Sequence, residues 1–358
     1  MVEIPQKIQV HLLPPLNGRQ PKELIVQLWT GWLTSLDDQD LLAKYHQEFE
    51  RMGITECPES TNPNVRSFVL INFEIWNFDC RPYLAANLPD RLVNLAGQRS
   101  GTFVCTSAML EGAAFSDYLK KDMPVWYEKR GRPDHVNWDY ESEVTSSYIA
   151  CFCPRCLKRF QEYAGLSTAP ERSEIPTKYM AEWIRFMNMQ MAELAGNLRS
   201  ALRACDPNIR FSVYSGYQSE THKRVYGVDW SLLADKIDLG MVGYGRPLDE
   251  LNATRAALGK TPLVLGHIAY PYDVKQRTAP GYLSAASLLR RAADSTGGIL
   301  VYSLQTLDAR TFNAIAVVSR IMADHEEFFV TGDRRGDEMK IPGWERDDYE
   351  VLVSESGA

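Results

Sequence analysis

The sequence predicts a (β/α)8 barrel with a short C-terminal extension, and three observations carry that prediction. Short apolar runs recur along the chain, and most are followed by segments with helical spacing, the alternation that builds a parallel sheet covered by helices. No GxGxxG or GxxxxGKS/T turn follows any of these runs, which removes the best support for a nucleotide-binding doubly wound sheet. The 358 residues suffice to bury roughly three quarters of the unfolded surface in a single large core.

The elements follow in order. Residues 1–22 are rich in Pro, Gly and polar groups and read as an irregular lead-in. Leu24 to Trp29 is the first strand, bounded by Gly31. Asp37 or Asp38 caps a helix in which Leu41, Leu42, Tyr45 and Phe49 recur at helical spacing until Gly53 stops it. Ile54 to Glu59 and Ser67 to Ile75 are two strand candidates with no helix between them. Pro82 to Gln98 reads as a helix, Gly101 to Ser107 as a buried strand, and Ala113 to Arg130 as a helix broken at Pro124. His135 to Tyr140 is a strand that opens into a cysteine-rich loop and a helix through Tyr163.

After a Ser/Thr/Pro-rich connection, Thr177 to Ala204 is the longest periodic segment, with Met180, Trp183, Ile184, Met187, Met191, Leu194 and Leu198 on one face. That stripe is read as core. Arg210 to Ser215, Ile237 to Tyr244 and Leu263 to Ala269 are strands, each followed by a helical segment. Gly298 to Ser303 is the last strand, and Asp308 caps a final helix through His325. Nine strand candidates compete for eight barrel places, and the surplus is assigned to 54–75. The barrel domain is expected over 1–330, and 331–358 reads as an extension or the start of a β-domain.

Composition narrows the function. A net charge of −7, with no basic stripe, argues against a nucleic-acid partner. No apolar run approaches the length of a membrane span. The N-terminus lacks the pattern of a secretory signal, so a cytoplasmic location is expected. Seven cysteines, an odd number in a long chain, do not read as a disulfide framework. Self-association is left open.

Chemistry in such a barrel sits at the C-terminal ends of the strands. Asp139 and Glu141 stand two apart at one such end, so an extended backbone points both to the same face. Glu141 has the longer reach and is the choice for a general acid; Asp139 beside it raises its pKa by like-charge repulsion or orients it. Glu74 is the first candidate for the second carboxylate that glycoside hydrolysis usually requires, ahead of Asp273 and Glu220. Trp29, Trp32, Trp76, Tyr214, Tyr244, His267 and Tyr302 also fall at strand ends. Flat rings beside carboxylates suit a carbohydrate, whose C–H faces pack on aromatics. Cys151, Cys153 and Cys156 form a Cys-x-Cys-x-x-Cys array able to surround a soft metal ion; a metal-free reduced cluster and a disulfide are the alternatives. Cys57, Cys80 and Cys205 read as plain buried thiols.

The strand ending in an acid, followed by this cysteine array and a helix beginning Cys-Leu-Lys-Arg-Phe, resembles the catalytic barrel of family-42 glycoside hydrolases, the β-galactosidase-type members of clan A. The resemblance is close over roughly 101–160. It implies a glycosidase in which Glu141, closing the fourth barrel strand, is the general acid/base. It also implies a structural zinc held by Cys105, Cys151, Cys153 and Cys156. Two positions depart from the family. Tyr140 stands where the family has Asn before its acid, and the seventh strand, where the family's nucleophilic glutamate belongs, reads PLVLGHIAYPYD, with His267 and Asp273 in its place. A non-catalytic sugar-binding or scaffold barrel is therefore the rival reading. A metal-dependent hydrolase would need an open metal position, which four cysteine ligands do not leave.

Overall fold

The computed structural model describes residues 17–30, 38–73, 77–268, 281–303 and 309–354. Among the described residues twelve strands occur in chain order: β1 (Ile25–Thr30), β2 (Glu56–Pro58), β3 (Arg66–Ile71), β4 (Arg91–Val93), β5 (Arg99–Val104), β6 (His135–Asp139), β7 (Arg210–Ser215), β8 (Leu239–Val242), β9 (Leu263–Ile268), β10 (Gly298–Ser303), β11 (Asp333–Arg334) and β12 (Leu352–Val353). Eight of them close a barrel in the order β1-β10-β9-β8-β7-β6-β3-β2. Each barrel strand thus neighbours the next in sequence, the (β/α)8 arrangement. β6 is the fourth barrel strand and β9 the seventh.

The helices needed below are α1 (Gln39–Arg51), α2 (Arg81–Ala86), α3 (Thr106–Glu111), α4 (Ala113–Lys129), α5 (Pro154–Ala164), α6 (Ile175–Lys178), α7 (Met180–Cys205), α8 (Glu220–Val225), α9 (Trp230–Leu233), α10 (Leu248–Leu258), α11 (Gly281–Asp294), α12 (Ala309–Asp324) and α13 (Glu326–Val330). Asp38 caps α1 by accepting the Leu41 N–H at 2.9 Å, and Gly53, at φ +80°, lets the chain turn out of it.

The surplus strand lies elsewhere than the periodicity suggests. Both runs in 54–75 supply barrel strands, β2 and β3. The run at 101–107 instead pairs antiparallel as β5 with β4, outside the barrel. The helix expected over 82–98 ends at Ala86. Asn94 N–H bonds Gln98 O at 2.9 Å and Gly97 adopts φ +85°, so the Asn-Leu-Ala-Gly turn makes a hairpin where an apolar count sees a helix. Pro124 does not break its helix: α4 runs through it, with Pro124 on the exposed side, where the backbone bond it forfeits costs least.

The chain divides into two compact units, Met1–Phe68 with Tyr244–Arg246 and Leu263–Ala358, and Val69–Gly243 with Pro247–Pro262. In the first, Leu24 just before β1, Val26 and Leu28 of β1, and Ile299 and Val301 of β10 pack against Phe49 of α1 and Ile315, Val318 and Met322 of α12. Its C-terminal part is clamped by arginines. Arg246 pairs with Asp294 at 2.5 and 2.9 Å and donates to Tyr349 O, while Arg334 donates to Ala293 O at 3.0 Å. In the second unit most of the α7 stripe is buried, with Trp183, Met187, Met191, Leu194 and Leu198 all at most 2 % exposed, while Met180 and Ile184 are half-buried. Among the described residues no helix is long and apolar enough to cross a membrane.

Candidate active site and cysteine cluster

Alternation along β6 sorts its side chains. Val136, Trp138 and Tyr140 are buried on one face, with the Trp138 ring against Phe73 and Tyr140. His135, Asn137 and Asp139 take the other, and Glu141 continues that series. Asn137 Nδ2 donates to Ser212 Oγ at 2.6 Å, and His135 Nε2 lies 2.7 Å from the same hydroxyl. These bonds tie β6 to β7, and Asp139 pairs in register with Tyr214. The ladder continues one residue further, with Tyr140 N–H on Tyr214 O at 3.0 Å.

Glu141 therefore leaves the sheet from a fixed backbone. Its side chain is open to solvent and Asp139 is half-buried. The Glu141 carboxyl is nevertheless raised to about 7, first by the loss of water around it and second by the neighbouring Asp139 charge. Such a group holds a proton near neutral pH and stays accessible enough to deliver it.

The loop that follows is pinned at nearly every step. The Glu143 carboxylate accepts the Thr145 N–H at 2.8 Å and the Thr145 hydroxyl, and faces Arg224 at 3.8 Å. Val144 donates to Arg224 O at 3.1 Å and accepts from Trp183 Nε1 at 2.9 Å. Trp138 Nε1 donates to Tyr148 Oη at 2.7 Å, and the Thr106 hydroxyl donates to Ile149 O.

This pinned loop delivers the chain to the cysteines. Cys105 precedes α3; Cys151, Cys153 and Cys156 lie at the start of α5. All four are buried thiols outside any disulfide, and their sulfurs lie within 4.8 Å of one another. Cys105 Sγ is 3.5 Å from both Cys153 and Cys156. A metal bound tetrahedrally through Zn–S bonds of ~2.3 Å needs sulfurs ~3.8 Å apart, so the cluster has the right size and donor chemistry for such an ion. Hydrogen bonding within the cluster moves the thiols in opposite directions, lowering Cys105 and Cys153 and raising Cys151 and Cys156. Phe152, between the ligand positions, stacks on Trp183 at 4.7 Å and 19°. Trp183 thus touches the cysteine loop with its ring and the Glu141 loop with its N–H.

In the first unit, three expected aromatics meet. Trp29 stacks on Phe68 at 6.0 Å and meets Tyr302 edge-on at 6.2 Å, and Tyr302 lies 5.7 Å from Tyr244. Trp29 and Tyr302 are register partners on β1 and β10. His267 is placed differently. It pairs with Val301, a member of the helix-facing core, so alternation puts it on that outer side, where burial and then the Arg291 charge lower its pKa to about 4. Glu74, Trp32, Trp76 and Asp273 lie outside the described residues. Cys57 and Cys80 are buried thiols pushed up to about 12, chiefly by burial, while Cys205 is only half-buried.

Sequence reasoning did not single out Gln27, Glu56, Glu143 or the bridging role of Trp183. Gln27 and Glu56 were visible in principle, as polar residues interrupting the apolar runs IVQLWT and ITECP. Trp183 acts through a contact with Val144, 39 residues away, and Glu143 faces Arg224, about twice as far along the chain, pairings that no local pattern announces.

No protein-family model and no curated protein sequence matches the chain. Its fold does match solved structures. A β-galactosidase from Rahnella sp. R3 aligns at a TM-score of 0.54 and 11% identity, covering 87% of this chain and 57% of that one. A GH42 β-galactosidase from G. stearothermophilus aligns at 0.54 and 15% identity, over 84% and 57%. The catalytic domain of a β-amylase from Paenibacillus polymyxa aligns at 0.54 and 9% identity, over 84% and 99%. The chain thus spans less than three fifths of these two β-galactosidase chains. The shared feature is the (β/α)8 fold that the family-42 resemblance implied.

Proposed function

We propose that the protein is a glycosidase in which Glu141 is the general acid and Asp139 helps to keep it protonated. The observation that carries this reading is the Glu141 carboxyl, raised to about 7 yet open to solvent at the end of the fourth barrel strand. A protonated carboxylic acid there donates its proton to the glycosidic oxygen as the C–O bond breaks, and the resulting carboxylate can then take a proton from the incoming water. The carbohydrate substrate is inferred from the neighbours, two of which are β-galactosidases. The half-buried Tyr244 and Tyr302 rings, with the small exposed part of Trp29 in the same layer, offer the aromatic surface that sugar C–H faces pack on.

Glu74 remains our candidate for the second carboxylate. Zinc fits Cys105, Cys151, Cys153 and Cys156, and with four thiolate ligands it supplies structure and not a reactive position. The cysteines would then hold one end of the loop whose other end bears Glu141.

The test is hydrolysis of a panel of p-nitrophenyl glycosides, beginning with the β-D-galactopyranoside, by the wild type and by Glu141→Gln and Glu74→Gln. Release of nitrophenol by the wild type that both substitutions remove supports the reading. One observation favours the rival: β9, the seventh barrel strand, carries no carboxylate over Leu263–Ile268. A barrel that binds these glycosides but hydrolyses none would be a sugar-binding protein.

A further inference from the structure

The polar residues on the inner side of β1 and β2 form a chain with fixed direction. Glu56, with no exposed surface, accepts from Gln27 Nε2 at 2.8 Å and from Arg66 Nε at 3.0 Å. Gln27, also fully buried, accepts from Trp29 Nε1 at 2.6 Å. The donor inventory allows only this arrangement. An indole nitrogen can only donate and a carboxylate paired with arginine can only accept, so the amide between them must turn its oxygen to Trp29 and its nitrogen to Glu56. Gln27, Glu56 and Arg66 are register partners, one layer below Trp29.

The consequence reaches the aromatic layer. Trp29 is stacked on Phe68 and only 7 % exposed, with its one polar atom turned down toward Gln27. What it can offer a ligand is ring carbon.

We propose that Gln27, oriented by Glu56, is a positioning residue that withdraws the Trp29 N–H from recognition, so that the small exposed part of Trp29 meets a sugar with ring carbon and gives it no hydrogen bond. The sugar part of this inference rests on the carbohydrate reading above. The locked indole does not.

The experiment uses the full chain labelled with 15N at tryptophan, with the Trp29 indole resonance assigned by its loss in Trp29→Phe. In the ligand-free wild type the Trp29 N–H should exchange slowly with solvent. Gln27→Met, which keeps the volume and removes the amide, should shift that resonance and speed its exchange about tenfold, the scale of one lost hydrogen bond. The other indoles should stay in place, which a general loosening of the fold would not allow. An unchanged Trp29 signal in Gln27→Met overturns the proposal.

Titration with methyl β-D-galactopyranoside supplies the second arm, with thermal melts as the folding control. Trp29→Phe should bind within about threefold of the wild type, while Trp29→Ala should bind at least about tenfold more weakly. Equal losses in the two variants would mean that the N–H serves the ligand, and would overturn the proposal. If the wild type binds no glycoside, the carbohydrate reading fails and the indole exchange alone decides the lock.

Discussion

The Glu141 loop and the Trp29 layer solve the same problem, holding a side chain still, by different means. Trp29 sits inside a strand, and its neighbours are fixed by sheet register and one buried polar chain. Glu141 stands just past the end of β6, where the sheet no longer helps. Its position depends on a loop tied by side chains from distant segments, Arg224 and Trp183 among them, and anchored at the far end by four cysteines. The difference teaches where each is vulnerable. A strand residue yields to changes in its own layer, whereas the rim acid yields to changes more than ten residues away in sequence.

The sharpest way to break the comparison is at the acid itself. Glu141→Gln should lower turnover by about 10²–10⁴-fold on any glycoside the wild type hydrolyses, read as initial rates of nitrophenol release. The same variant should show a pH-dependent gain in stability. A carboxyl whose folded pKa is raised above its unfolded value binds protons more tightly when folded, so its contribution is fully present below about 4.5 and is lost as pH rises through about 7. Glu141→Gln should therefore melt with the wild type at pH 4 and above it at pH 8.

Next in size is the anchor. Cys156→Ser removes one of four thiols, and metal content measured by plasma emission should fall below one ion per chain, with a stability loss on the order of 3 kcal/mol in denaturant titration. Turnover should fall as well, although Cys156 is not expected to touch substrate. Retained turnover in the metal-depleted variant would show that the loop does not depend on its far end.

Smaller effects sharpen the picture. Asp139→Asn removes the like charge beside Glu141, so the pH at which activity falls on the alkaline side should move toward acid. It should remain above the ordinary carboxylate range, because loss of water is the larger cause of the shift. Trp183→Phe keeps a ring against Phe152 but drops the bond to Val144 O. We expect a loss of about 1 kcal/mol and a fall in turnover smaller than tenfold, both from paired melts and rates.

Much of the fold was legible because it rests on period. The β1 to α1 unit, the α7 stripe and the β6 to β10 strands all declare themselves through apolar spacing and caps such as Asp38. The hairpin of β4 and β5 was misread because a turn ending in Gly97, with apolar residues around it, imitates a helix in composition. In the site, Asp139, Glu141 and three of the cysteines were legible as short-range patterns. Cys105 came only from the family resemblance. The helix-side placement of His267 was not legible, since its face depends on strand register with Val301. Glu143 and Trp183 were hidden for the same reason: their partners are chosen by tertiary packing.

The single indole of Trp183 also couples two segments in time. Because it stacks on Phe152 and bonds Val144 O, neither segment can swing away while the other stays closed without losing one of those contacts. In deuterated solvent, the amides of Val144 and Phe152 should open as one unit, and their shared opening rate would set the frequency with which the acid leaves its post.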